Sequence, residues 1–190
     1  GSAKGWAGSF LFNAKAKQAL DDFYDRPDTL SLGVCNGCQL MMELEKIYPG
    51  RDKHPKLRHN SSGKFESSFI NVSIQENNSV MFGSLSGTRL GIWVAHGEGR
   101  FEMPESEDHY LIPLKYSYDA FPANPNGSTY GTAALASEDG RHLALMPHLE
   151  RSIFPWNWPH YGDKMAHEVT PWVEAFVNAK NWVAEKTKKD

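Results

Sequence analysis

Apolar residues recur along this chain with two different periods, and the change of period divides it. From Ser9 to Asp25 (SFLFNAKAKQALDDFYD), Phe10, Leu11, Ala14, Leu20, Phe23 and Tyr24 fall near the spacing of one amphipathic helix, which Pro27 stops. Leu30 to Val34 is a short apolar strand, followed by a helix running through Gln39 to about Lys46 and closed by Pro49-Gly50. Beyond it, short runs of β-branched and aromatic residues alternate with turn-forming ones: Lys64–Ile74, Leu90–Ala95, Leu111–Tyr118, Gly131–Ala136 and His142–Met146. A last helix is expected over Pro171–Lys186, with proline in its first turn after Thr170. The pattern predicts an α/β domain. Its sheet is expected to be mostly parallel and flanked by helices, with additional antiparallel strands and the Leu30–Val34 unit near its centre.

The join between that strand and its helix carries chemistry. Gly33 and Gly37 flank Cys35 in a G-x-C-x-G pattern, the nucleophile elbow with cysteine in place of serine. A side chain at either glycine is expected to clash where the chain reverses, and the sulfur would sit at the positive end of a helix dipole that favours thiolate. Late in the chain, His148 and Glu150 stand two apart in MPHLER, after a strand. In extended backbone positions i and i+2 point the same way, so the carboxylate could orient the imidazole. Cys35, His148 and Glu150 can thus fill the nucleophile, base and orienter roles of a triad, which geometry defines and chain order does not.

Composition narrows the alternatives. With 190 residues, 40% of them hydrophobic, the chain can bury one ordinary core, and a net charge of -3 with a single basic cluster at Lys186–Lys189 gives no nucleic-acid footprint. No apolar run reaches the length of a membrane span and no signal peptide opens the chain, so no membrane partner and a cytoplasmic location are expected. Cys35-x-x-Cys38 has the spacing of a thioredoxin-like redox pair, and Cys35, Cys38, His54 and His59 have the types of a zinc set. Neither reading explains the later motifs, and no metal site is expected. No G-x-x-x-x-G-K-[ST] loop or G-x-G-x-x-G fingerprint is present.

Four segments occur together and in order: the elbow GVCNGCQLM, Ala95–Arg100 (AHGEGR), Asn124–Ser128 (NPNGS) and Met146–Arg151 (MPHLER). In this the chain resembles the glutaminase domains of phosphoribosylformylglycinamidine synthases, class I triad glutamine amidotransferases with a flavodoxin-like fold, over essentially all 190 residues. The resemblance implies a Cys35-His148-Glu150 triad that hydrolyses glutamine through a glutamyl thioester. It also implies a backbone oxyanion donor at Asn36 and substrate contacts from Gln39, His96, Gly97, Glu98 and Asn126. The ammonia would pass to a synthetase domain, the expected partner. ATP and magnesium are expected only there, with no cofactor in this domain. The family's second oxyanion donor comes from a strand end preceding the segment that resembles Gly1–Gly8, which implies a domain lacking its first strands. Two rival readings are a cysteine peptidase built on the same elbow and a non-catalytic docking module. The aromatic run Ile153–Tyr161 suits either a docking surface or a lid over the core.

Overall fold

The computed structural model describes residues 2–162 and 167–189, so Gly1 lies outside it. Its order is α1 (Ser2–Leu11), α2 (Ala14–Asp25), β1 (Ser31–Val34), α3 (Asn36–Glu43), β2 (Lys56–Arg58), β3 (Glu66–Ile74), β4 (Arg89–His96), β5 (Arg100–Glu102), β6 (Leu111–Tyr116), β7 (Thr132–Ala136), β8 (His142–Leu145) and α4 (Val173–Lys186), with short 3-10 turns between. The single helix expected over Ser9–Asp25 is two. Asn13, in extended conformation, breaks the run and caps α2, its side-chain oxygen accepting from the N–H groups of Lys15 and Ala16 at 3.1 Å each. A short polar side chain that can bond its own backbone ends one helix and begins the next.

Six strands form one sheet in the order β1-β8-β7-β6-β3-β4, while β2 and β5 pair separately. The sheet is mixed and flanked by helices, as an α/β fold requires, but its parallel share is smaller than expected. Among the described strands only β1 and β8 run parallel; β8–β7, β7–β6, β6–β3 and β3–β4 are antiparallel. β1 stands at the edge of this sheet and not at its centre. Part of the reason lies in the connections: only residues 137–141 join β7 to β8, and a link that short can only return the chain antiparallel.

Two apolar clusters cover the two faces. One gathers Val72, Ile92, Val94, Leu114, Leu145 and Leu149 under Trp172 and Ala175 at the start of α4, the Trp172 indole N–H donating to the Gly91 carbonyl at 2.8 Å. The other packs Cys38, Met41 and Met42 of α3 on Phe101, Ile112, Leu135, Ala144 and Met146. β7 and β8 are buried at every position, so they carry near-continuous apolar runs in place of alternation. The aromatic run after residue 152 divides between core and solvent. Trp158 closes over Phe69, with ring centroids 5.1 Å apart, whereas Trp156 stacks flat on Phe154 and remains 68% exposed.

The two elbow glycines are not equivalent. A Cβ on Gly33 would lie 2.4 Å from Met41 Sδ and 2.7 Å from the Gly37 carbonyl oxygen, but one on Gly37 meets nothing within 4 Å. Close approach of helix to strand requires Gly33; Gly37 faces open space. Gly33→Ala should therefore lower unfolding free energy by roughly 1–3 kcal/mol in denaturant titration, whereas Gly37→Ala, in a helix, should be neutral or stabilising by up to about 1 kcal/mol. Equal losses in the two variants would show that close packing at Gly33 is not the constraint.

Candidate active site

The parallel pairing of β1 and β8 brings the C-terminal ends of both strands to one edge of the sheet, where α/β folds place their sites. The Cys35 N–H extends the ladder, donating to the Leu145 carbonyl at 2.9 Å. The backbone then turns sharply: Cys35 has φ 52 and ψ -103, outside the regions that L residues ordinarily occupy. Helix α3 begins at the next residue, and its first closing bond runs from the Gln39 N–H to the Cys35 carbonyl at 3.0 Å. The strained residue, the helix start and the half-exposed sulfur are the elbow that the glycine pattern predicts. The N–H of Asn36 belongs to the first helical turn, which has no intrahelical acceptor, and the Asn36 side chain is engaged elsewhere, accepting from Ser2 Oγ at 3.1 Å.

His148 reaches the same point from β8. Its N–H donates to the Trp93 carbonyl at 2.7 Å, an isolated antiparallel bridge that carries the chain off β8 and onto β4. His148 and Glu150 do meet, with Nδ1 and Oε1 2.6 Å apart, but not along an extended strand. The strand ends at Leu145, and Glu150 lies in a 3-10 turn over Leu149–Arg151 that folds its carboxylate back under the ring. On the other side of the ring, Nε2 is buried with no hydrogen-bond partner, while the Cys35 side chain stands near enough to favour a charge on the ring. Burial opposes a charge on this imidazole, but the neighbouring Cys35 sulfur and the hydrogen bond to Glu150 outweigh it and hold the pKa up at about 9. At neutral pH His148 is therefore an imidazolium. Glu150 is 42% exposed; burial raises its pKa most, but the hydrogen bond from His148, a backbone hydrogen bond and the charges of His148 and Arg151, whose guanidinium stands 3.6 Å away, together outweigh burial and lower the pKa.

The Gly97–Gly99 turn forms the opposite wall. The Ala95 carbonyl is 3.7 Å from Cys35 Sγ, so the end of β4 passes directly over the sulfur. Gln39 lies one helical turn past the elbow, and its amide donates to the Glu98 carbonyl at 2.7 Å, tying α3 to the turn. His96 is 2% exposed and lies inside the turn; Gly99 approaches its ring so closely that a Cβ there would be 2.5 Å from Nδ1. Burial, with a smaller repulsion from His148, lowers the His96 pKa to about 4.

Asn126 does not touch this wall as a ligand contact would. It is fully buried, donates to the Gly99 carbonyl at 2.7 Å and to Tyr116 Oη at 3.0 Å, and accepts from the N–H and Oγ of Ser128. Its amide is consumed inside the chain, because the Asn124–Ser128 loop is a brace behind the turn. Sequence periodicity passes over Asn60, which ends the HPKLRHN stretch and has no apolar neighbours to mark it as buried. Asn60 is 3% exposed and bonds four groups of the 96–99 segment. The one signal for it in the sequence is the turn-forming run Asn60-Ser61-Ser62-Gly63.

Cys38 faces inward at 0% exposure, and desolvation pushes its thiol well up, so it packs as an apolar residue and not as a redox partner. His54 pairs with Glu45 at 3.3 Å and His59 with Glu98 at 3.7 Å, and no cluster among the described residues could hold a metal ion. No helix among them is long and apolar enough to cross a membrane.

This geometry has relatives. Among curated proteins, the chain is 44% identical over 96% of its length to a probable phosphoribosylformylglycinamidine synthase of Arabidopsis thaliana, described as chloroplastic/mitochondrial. It is 42% identical over 95% to the Dictyostelium discoideum phosphoribosylformylglycinamidine synthase and 41% over 97% to the human one. The chain spans only 14%, 15% and 16% of those proteins. Its fold is similar to the solved structure of PurLQS from Thermotoga maritima, with TM-score 0.69 and 24% identity over 96% of this chain and 72% of that one. The model of the CobB/CobQ-like glutamine amidotransferase domain matches residues 1–183, and the chain accordingly belongs to that family of glutamine amidotransferase domains.

Proposed function

We propose that this domain hydrolyses the side-chain amide of glutamine and supplies the ammonia to a phosphoribosylformylglycinamidine synthase of which it forms one part. The observation that carries this reading is the elbow-borne Cys35 sulfur beside His148, with Glu150 2.6 Å behind the imidazole. A peptidase would need an open cleft for extended chain. The Gly97–Gly99 turn, strapped to α3 by Gln39, instead closes in on the sulfur and suits a single amino acid.

In the reaction so read, Cys35 Sγ attacks the glutamine amide carbon as the thiolate, its proton held on the His148 imidazolium, and the carbonyl electrons move to oxygen, where the Asn36 N–H at the helix start receives the charge. When the carbon–nitrogen bond breaks, the proton on His148 Nε2 goes to the departing nitrogen, which leaves as ammonia. The now neutral His148 takes a proton from water as that water attacks the thioester, and glutamate departs with the thiolate and the imidazolium restored. Glu150 supports each imidazolium stage. Gln39, Gly97 and Glu98 line the side where the amino-acid end of the substrate would lie. Ammonia released to water would largely become ammonium and lose its nucleophilicity, so direct transfer to a synthetase domain is the chemical reason for the partnership. ATP and magnesium belong to that partner's reaction. A reducing compartment such as the cytosol suits a free nucleophilic thiol.

Glutamate release from glutamine should fall about 1000-fold or more in Cys35→Ser, assayed in the intact polypeptide. Retention of turnover would remove Cys35 from the reaction. The pH dependence follows from His148: its folded pKa exceeds the free value of 6.5, so its ion pair contributes fully below about pH 6.5 and is lost as pH rises through about 9. Glu150→Gln should move the His148 midpoint from about 9 down towards 6.5, read by proton NMR of the ring. An unmoved midpoint would mean that Glu150 does not hold the charge.

A further inference from the structure

The turn over the nucleophile is held almost entirely from outside itself. The His96 carbonyl accepts from Asn60 Nδ2 at 2.7 Å, the Gly97 carbonyl from the Asn60 N–H at 2.9 Å, the Glu98 carbonyl from Gln39 and the Gly99 carbonyl from Asn126. Asn60 makes two of these four bonds, and its side chain also sets the state of a neighbouring ring. Nδ2 donates to the carbonyls of both His96 and Lys64, at 2.7 and 3.0 Å, which can only accept. That fixes the amide orientation. Oδ1 then accepts from the Gly99 N–H at 3.1 Å and faces His96 Nδ1 at 3.3 Å. An acceptor at that place requires the proton of the neutral ring on Nδ1. The opposite nitrogen, Nε2, is buried with no partner. Buried nitrogens are normally satisfied, so an orphaned lone pair asks for an explanation.

Resting on the glutaminase reading above, we infer that Asn60 is a positioning residue: it clamps the 96–99 turn and locks His96 in the neutral Nδ1–H tautomer, with a bare Nε2 buried on a ring close enough to His148 to feel its charge.

The charge pattern gives this tautomer a use. Two titratable groups act on His96 besides its own backbone: Glu66, opposite it in the β3–β4 register, and His148, on the turn after β8. A neutral His96 ring tolerates an imidazolium at His148. A charged ring would repel it. Asn60 therefore does for His96 the reverse of what Glu150 does for His148, supplying a neutral acceptor where a carboxylate would draw on a charge.

The test is nitrogen-15 NMR of the histidine rings in this chain, with Asn60→Asp as the near-isosteric variant. In the unaltered chain at neutral pH, His96 should be neutral with its proton on Nδ1. In Asn60→Asp, the carboxylate should make His96 an imidazolium, lower the His148 midpoint, and reduce kcat/KM for glutamine in the intact polypeptide about tenfold. A ring proton on Nε2 in the unaltered chain, or a variant that leaves both histidine titrations unchanged, would overturn the inference, and the first needs no variant to fold. Absence of glutamine hydrolysis by the unaltered enzyme would sink the functional reading instead, while the tautomer would still decide the role of Asn60.

Discussion

The parallel pairing of β1 with β8 is the constraint on which the site depends. Its register sets Val34 opposite Leu145, so both strands end at one level, and the next residue of the first strand is Cys35. One bond past the ladder holds the Cys35 N–H to Leu145, and His148 follows Leu145 within a single further turn of the chain. A slip of one residue would turn every side chain to the other face and bring the sulfur and the imidazole out of line. Burial of β7 and β8 on both faces makes such a slip costly, because apolar side chains on each side already fill the space between the two helical layers.

Three buried histidines then show how environment assigns chemistry. His96, His142 and His148 are each 6% exposed or less, and burial pushes all three towards the neutral ring. His142, at the opposite end of β8, touches Ser31 Oγ at 2.9 Å and drops to about 4. His96 faces the amide of Asn60 and drops likewise. Only His148 has both a carboxylate and a thiol in contact, and it alone rises, to about 9. Desolvation is common to the three; the partner decides the sign.

The elbow is legible because it is local. Gly33-x-Cys35-x-Gly37 between an apolar strand and a helix specifies a sharp turn within five residues, and the structure places a strained Cys35 there. The spacing of His148 and Glu150 also marks a real contact, although the strand argument for it gives way to a 3-10 turn. Helix α4 and the five later strands lie within a few residues of where their periodicity puts them. The break at Asn13 and the short β2–β5 pair escape a reading of the sequence, since three-residue strands leave no period to read and one asparagine is a weak signal inside a helical run.

By itself, then, the sequence determined the α/β class, the cysteine-bearing turn, and the pairing of His148 with Glu150, because each of these is written in residues close together along the chain. Tertiary structure decided the rest. The antiparallel majority of the sheet, the convergence of Cys35 with a residue 113 positions away, and the clamp of Asn60 and Asn126 on the Gly97–Gly99 turn all join segments remote in sequence. Such contacts arise from which faces can be buried together and which carbonyls lack a donor, and neither is a property of any one segment.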